Sequence, residues 1–110
     1  MRQKILIPLF GNEVSPRFDL AKEVLIISLD KKNEEREEKT LVLSQTSAEQ
    51  LCHLILTEGV QVVICGGIEE EHFHYLTWKK VQVFDSIMGD WKKAFDSFNK
   101  GNLQTEKNLG

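Results

Sequence analysis

Apolar positions along the chain fall first into runs of strand length and only later into helical spacing. KILIPLF (Lys4 to Phe10) and EVLIISLD (Glu23 to Asp30) are apolar runs, and EKTLVLS (Glu38 to Ser44) is a third. Runs this short, rich in β-branched residues and bounded by turn formers, predict strands. Pro8 lacks an amide donor, which places it near the end of its strand. The polar KKNEER segment between the second and third runs is of hairpin length, so that pair is antiparallel, and the mixed charges from Lys31 to Lys39 predict a solvated turn.

After Ser44 the period changes. Thr46 or Ser47 caps a helix, Gln50 completes a capping box with Ser47, and Ala48, Leu51, Leu54 and Ile55 form its apolar stripe up to Gly59. Gln61 to Cys65 is a buried strand that runs into Gly66 and Gly67. A second helix is expected from Glu69 to Trp78, with Phe73 and Leu76 inward and three glutamates near the positive end of its dipole. A strand from Lys80 to Phe84 follows. Ser86 then caps a last helix carrying Ile87 or Met88, Trp91, Ala94, Phe95 and Phe98 on one face.

The predicted order is β-β-β-α-β-α-β-α. Right-handed crossovers then give a five-stranded mixed sheet in the order 3-2-1-4-5, with only strand 2 antiparallel and three helices on its faces. This is the ribonuclease H-like α/β arrangement. A nuclease of that type needs carboxylates converging on metal ions from the first and fourth strands. Those positions read ILIPLF and VVICGG, without an acid, so nuclease chemistry is excluded.

Composition narrows the classes further. The 110 residues fit one domain, taken as 1–100 with a flexible tail at 101–110. Fourteen basic residues against 17 acidic ones give a net charge of -3, which disfavours nucleic acid as a partner. The start of the chain offers neither a signal-peptide core nor a stretch able to span a bilayer, which predicts a cytoplasmic protein with no membrane partner. Cys52 and Cys65 are expected to be reduced thiols.

Three stretches carry a resemblance: IPLFGNEVSPRFDLA near the start, GVQVVICGGI in the middle, and the short distance from there to a strand and a final helix. Together they resemble the dinitrogenase iron-molybdenum cofactor biosynthesis family, of the NifX and NifB carboxyl-terminal type, over Lys4 to Phe98. The S-P-x-F of VSPRFD is the most specific piece. The resemblance implies a small non-catalytic domain that binds, stores or hands over an iron-sulfur or iron-molybdenum cluster. Its partner would be the protein that donates or accepts the cluster, and the chain itself would be a monomer or weak homo-oligomer. Many members carry His-Phe-Gly in the first loop; here those positions are Arg17, Phe18 and Asp19.

The candidate cargo-binding residues are therefore Ser15, Arg17, Phe18 and Asp19 in the loop, and Cys65, Gly66 and Gly67 at the turn, two segments expected to line one cleft because the first and fourth strands are parallel neighbours. Cys65 is a candidate metal ligand because thiolate suits iron-sulfur centres, although a small apolar residue closing a strand is an equally good description of it. His72 and His74 are two apart on a helix and point in nearly opposite directions, so at most one can be a ligand, and His72 is nearer the turn. Cys52 among core leucines and His53 on the surface rank lower. No nucleotide is expected, because three glutamates follow the glycines and no G-x-x-x-x-G-K is present. Two rivals are a thiol enzyme using Cys65 and an interaction module without cargo.

Overall fold

The computed structural model describes residues 2–30, 32 and 34–103. The strands are β1 (Arg2–Phe10), β2 (Glu13–Val14), β3 (Glu23–Asp30), β4 (Glu35–Val42), β5 (Val62–Ile64) and β6 (Gln82–Phe84); the helices are α1 (Ala48–Thr57), α2 (Glu70–Trp78) and α3 (Trp91–Asn99). The main path of the sheet is β4-β3-β1-β5-β6, the order expected from the crossovers. β3 is antiparallel to both neighbours, whereas β1, β5 and β6 run parallel.

The sheet separates two cores. Alternate residues along a strand face opposite sides, so Leu6 and Val63 lie with Leu51, Cys52, Ile55 and Leu76 under α1 and α2. Ile5, Ile7, Val62 and Ile64 lie with Trp91, Ala94 and Phe95 under α3. β5 is buried on both faces, which is why its sequence is continuously apolar.

The structure departs from the sequence reading in several places. The segment after β1 is more than a loop: Glu13 and Val14 return antiparallel against Phe10 and Leu9, making a sixth strand too short to show any periodicity. β4 starts at Glu35, so half of the supposed turn is paired with β3. As an edge strand it has one flank in solvent, and its charged residues cost nothing there. Of the turn itself, Lys31 and Asn33 lie outside the described residues. β6 begins two residues later than expected, because Lys80 has φ +69 and closes the end of α2.

The correction at α3 is larger. Ser86 is no cap: it has φ +61, and the helix begins at Trp91 with Asp90 accepting from the Lys92 amide at 2.7 Å. Ile87 is nevertheless buried against the same core, from a loop rather than a helix, which explains the misleading helical spacing. After α3, Asn102 donates to the Ser97 carbonyl at 2.8 Å and Leu103 packs on the α3 side. The rest of the expected flexible tail, 104–110, lies outside the described residues.

Candidate functional site

The loop after β1 and the turn after β5 meet at the carboxyl edge of the sheet, as parallel neighbouring strands require. Ser15 precedes a proline and is therefore extended. Its amide donates to Pro8 O at 2.8 Å and its hydroxyl to Arg17 O at 3.0 Å. Arg17 and Gly67 form a one-residue parallel bridge, in which Phe18 N donates to Gly67 O at 2.8 Å and Gly67 N to Pro16 O at 2.7 Å. The two segments thus lie backbone against backbone, where an open cleft between them was the expectation. Gly66 makes that approach possible. A Cβ there would overlap the Ser15 carbonyl oxygen and come within 2.7 Å of that of Pro16.

The side chains of the junction divide sharply. Phe18 is 1% exposed and plugs the core under α1 and α2. Arg17 projects outward and forms a bidentate pair with Asp19, at 3.0 and 2.7 Å. In water this pair stiffens the short 3-10 turn Phe18–Leu20 but contributes little stability, about 0–1 kcal/mol.

Cys65 is fully enclosed, in the same core as Phe18. Its amide donates to Phe84 O and its carbonyl accepts from Ile87 N, both at 2.9 Å. Burial, reinforced by the charge of Asp85, pushes its thiol far above the ordinary range. Cys52, 4% exposed, is likewise pushed up to about 11 by burial and then by Glu49. Both thiols are free, and their burial favours the protonated form.

Beside the junction, α1 and α2 flank a half-open pocket of about 410 Å³ lined by Glu49, Cys52, His53, Glu71, His72 and Tyr75. His72 sits at its junction end, stacked on Phe18 with ring centroids 6.4 Å apart and planes at 30°. Its side chain is 17% exposed, with Nε2 3.7 Å from Glu71 Oε1. His74 is exposed on another side of α2, edge-on to Phe73 at 5.8 Å. Tyr75 carries the pocket wall outward to Trp78, whose ring is 72% exposed and lies 6.3 Å from it.

The structure therefore brings Ser15, Arg17, Phe18, Asp19, Cys65, Gly66, Gly67 and His72 into one neighbourhood. Cys65 is sealed beneath it, and the glycines contribute backbone alone. Cys52, buried in the core, and His53, exposed on α1, also line this pocket: Glu49, Cys52 and His53 share one face of α1, and Glu71, His72 and Tyr75 one face of α2. Among the described residues no three His, Cys, Asp or Glu side chains already converge on a single metal position. No helix among them is long and apolar enough to cross a membrane.

Solved structures share this fold. PH0822 superposes with a TM-score of 0.83 at 16% identity, covering 94% of this chain and 95% of that one. A dinitrogenase-like protein of Methanocaldococcus jannaschii gives 0.76 at 25% identity, with 94% of each chain covered. A NifB-like protein of Thermotoga gives 0.64 at 21% identity, over 94% of this chain and 92% of that one. No curated protein matches. Residues 1–101 match the description "Dinitrogenase iron-molybdenum cofactor", and the chain belongs to that family.

Proposed function

We propose that the protein is a carrier: it binds a metal-sulfur cluster of the iron-sulfur or iron-molybdenum kind and passes it to another protein, with no covalent chemistry of its own. Family membership over nearly the whole chain supports the class. The observation that carries the reading to this molecule is the Phe18–His72 stack, which sets an imidazole beside the loop–turn junction although Arg17 occupies the loop position itself. The cargo-binding set on this reading is the Ser15–Asp19 loop, the backbone of Gly66 and Gly67, and His72, with Cys65 enclosed beneath them. The protonated state of both thiols weighs against the enzyme alternative. The reading also includes a cytoplasmic location and a cluster donor or acceptor as partner, and the net charge of -3 argues against nucleic acid in that role.

Anaerobic reconstitution with ferrous iron, sulfide and molybdate, followed by absorption spectroscopy and elemental analysis, tests this. A coloured, metal-loaded product is expected. A colourless, metal-free one rejects the carrier in favour of an interaction module.

A further inference from the structure

We infer that β4 is a self-recognition edge: two copies of this chain join through it, antiparallel across a two-fold axis, so that their sheets become one. The inference concerns a different part of the molecule from the carrier reading and does not depend on it.

The main path of the sheet ends on one side in β4, eight residues long, and on the other in β6, which has three. Of these two edges only β4 is long enough for another strand to add along it. In an antiparallel ladder, successive residues alternate between bonding to the neighbouring strand and directing their main-chain groups away from it. Leu43 donates to Lys22 O at 2.7 Å and continues the register that pairs Leu41 with Val24, so the odd-numbered residues of β4 are the ones that bond to β3. The amides and carbonyls of Arg36, Glu38, Thr40 and Val42 therefore point off the sheet.

Charge decides what can use that edge. Charged residues on an edge strand commonly keep other strands away. A row of one sign would do so against a second copy, but Glu35, Arg36, Glu37, Glu38 and Lys39 are mixed and complement themselves. A two-fold pairing that joins the outward main chain of Arg36 to that of the partner's Glu38 also sets Glu35 opposite the partner's Lys39, and symmetry repeats both contacts. Opposite charges directly across a ladder stabilise it, and like charges destabilise it. Glu37 meets its own copy at the axis, where each carboxylate is held by Arg2 of its own chain at 3.1 Å. Arg36 and Glu38 already stand paired on the α3 side, with Arg36 over the Phe95 ring at 4.6 Å and their side chains 44% and 40% exposed. A second copy can therefore reach both. Sliding the partner by two residues loses the match: one slide sets Arg36 against Arg36, the other Glu38 against Glu38 and Arg36 against Thr40. The interface is one strand wide and each chain carries a net charge of -3, so the dimer is weak and dependent on concentration.

Sedimentation equilibrium from micromolar concentration to about 1 mM, the range of a weak interface, tests this on the wild type, Arg36→Glu, Glu38→Arg and an equimolar mixture of the two variants. Circular dichroism and melting curves verify that each variant is folded. The wild type should move towards twice the monomer mass as concentration rises. Either variant alone sets like charges opposite each other and should associate at least about tenfold more weakly, whereas the mixture restores opposite signs and should dimerise. Hydrogen exchange in the wild type should slow at the Arg36 and Glu38 amides on concentration, and not at Glu37, which already bonds to β3. A wild type that stays monomeric at the highest concentration overturns the inference. So does a variant that associates alone as the wild type does, a mixture that stays monomeric, or a dimer whose added protection lies outside β4.

Discussion

Arg17 and Gly67 face each other across a parallel bridge made entirely of main-chain atoms, closed by hydrogen bonds of 2.7 and 2.8 Å on either side. The position of the loop is therefore set by the backbone at 66 and 67, while the side chain at 17 is left to solvent.

Gly66→Ala should be among the most damaging single changes. The new methyl meets two backbone carbonyls, which cannot rotate away as a side-chain tip could. The expected cost is about 2–3 kcal/mol, or roughly a 10 °C fall in Tm. Gly67→Ala, whose Cβ would lie 3.3 Å from Pro16 O, should be milder. A melt of Gly66→Ala within 1 °C of wild type would contradict the packed junction.

The thiols should be unreactive in the native state. With Cys52 at about 11 and Cys65 higher, iodoacetamide at pH 7.5 should label neither at an appreciable rate, whereas the urea-denatured chain should take up two labels. Fast labelling of native Cys65, followed by mass spectrometry of its peptide, would show that the Arg17–Gly67 bridge opens.

Stability should fall at alkaline pH. Unfolding returns each thiol to an ordinary value near 9.0, so above that pH the unfolded chain binds fewer protons than the folded one. The stabilisation is complete below pH 9 and is lost as pH rises towards 11 and beyond, at up to about 1.4 kcal/mol per pH unit for each thiol. Urea melts at pH 8 and pH 10 should show a steeper decline for wild type than for Cys52→Ala/Cys65→Ala. Equal declines would refute it.

Two substitutions separate the alternative starts of α3. Asp90→Ala removes the acceptor of the Lys92 amide and should cost about 1 kcal/mol. Ser86→Gly should be neutral or stabilising by up to about 1 kcal/mol, because a left-handed residue is relieved of its Cβ. Chemical denaturation of both variants measures the difference; a destabilised Ser86→Gly would restore Ser86 as a cap.

The sheet order and the helices were legible because strands buried on both faces read as continuous apolar runs, as at Lys4–Phe10 and Glu23–Asp30, while helices buried on one face keep a spacing of about 3.6. Glu13–Val14 was not, since two residues cannot display a period and their pairing depends on Phe10 and Leu9. Ile87 misled because a loop residue can reach the core at a helical interval. At the site, the sequence correctly marked the SPRFD loop and the CGG turn as neighbours. It could not show that Cys65 points inward, because a thiol at a strand end reads alike as ligand and as core. Cys52 and His53 lacked a signal of their own, since a shared helix face becomes a pocket wall only when a second helix stands opposite.

The two tryptophans make the molecule its own instrument. Trp78 stands 72% exposed next to Tyr75 on the pocket side of the sheet, and Trp91 is 8% exposed under α3 on the opposite side. A coloured cargo bound on the side of the sheet that carries α1 and α2 would drain the red-shifted emission of the first by energy transfer more strongly than the blue-shifted emission of the second. Arrival and departure of cargo could then be followed in real time from the shape of one unlabelled fluorescence spectrum, with the shielded indole as the internal reference.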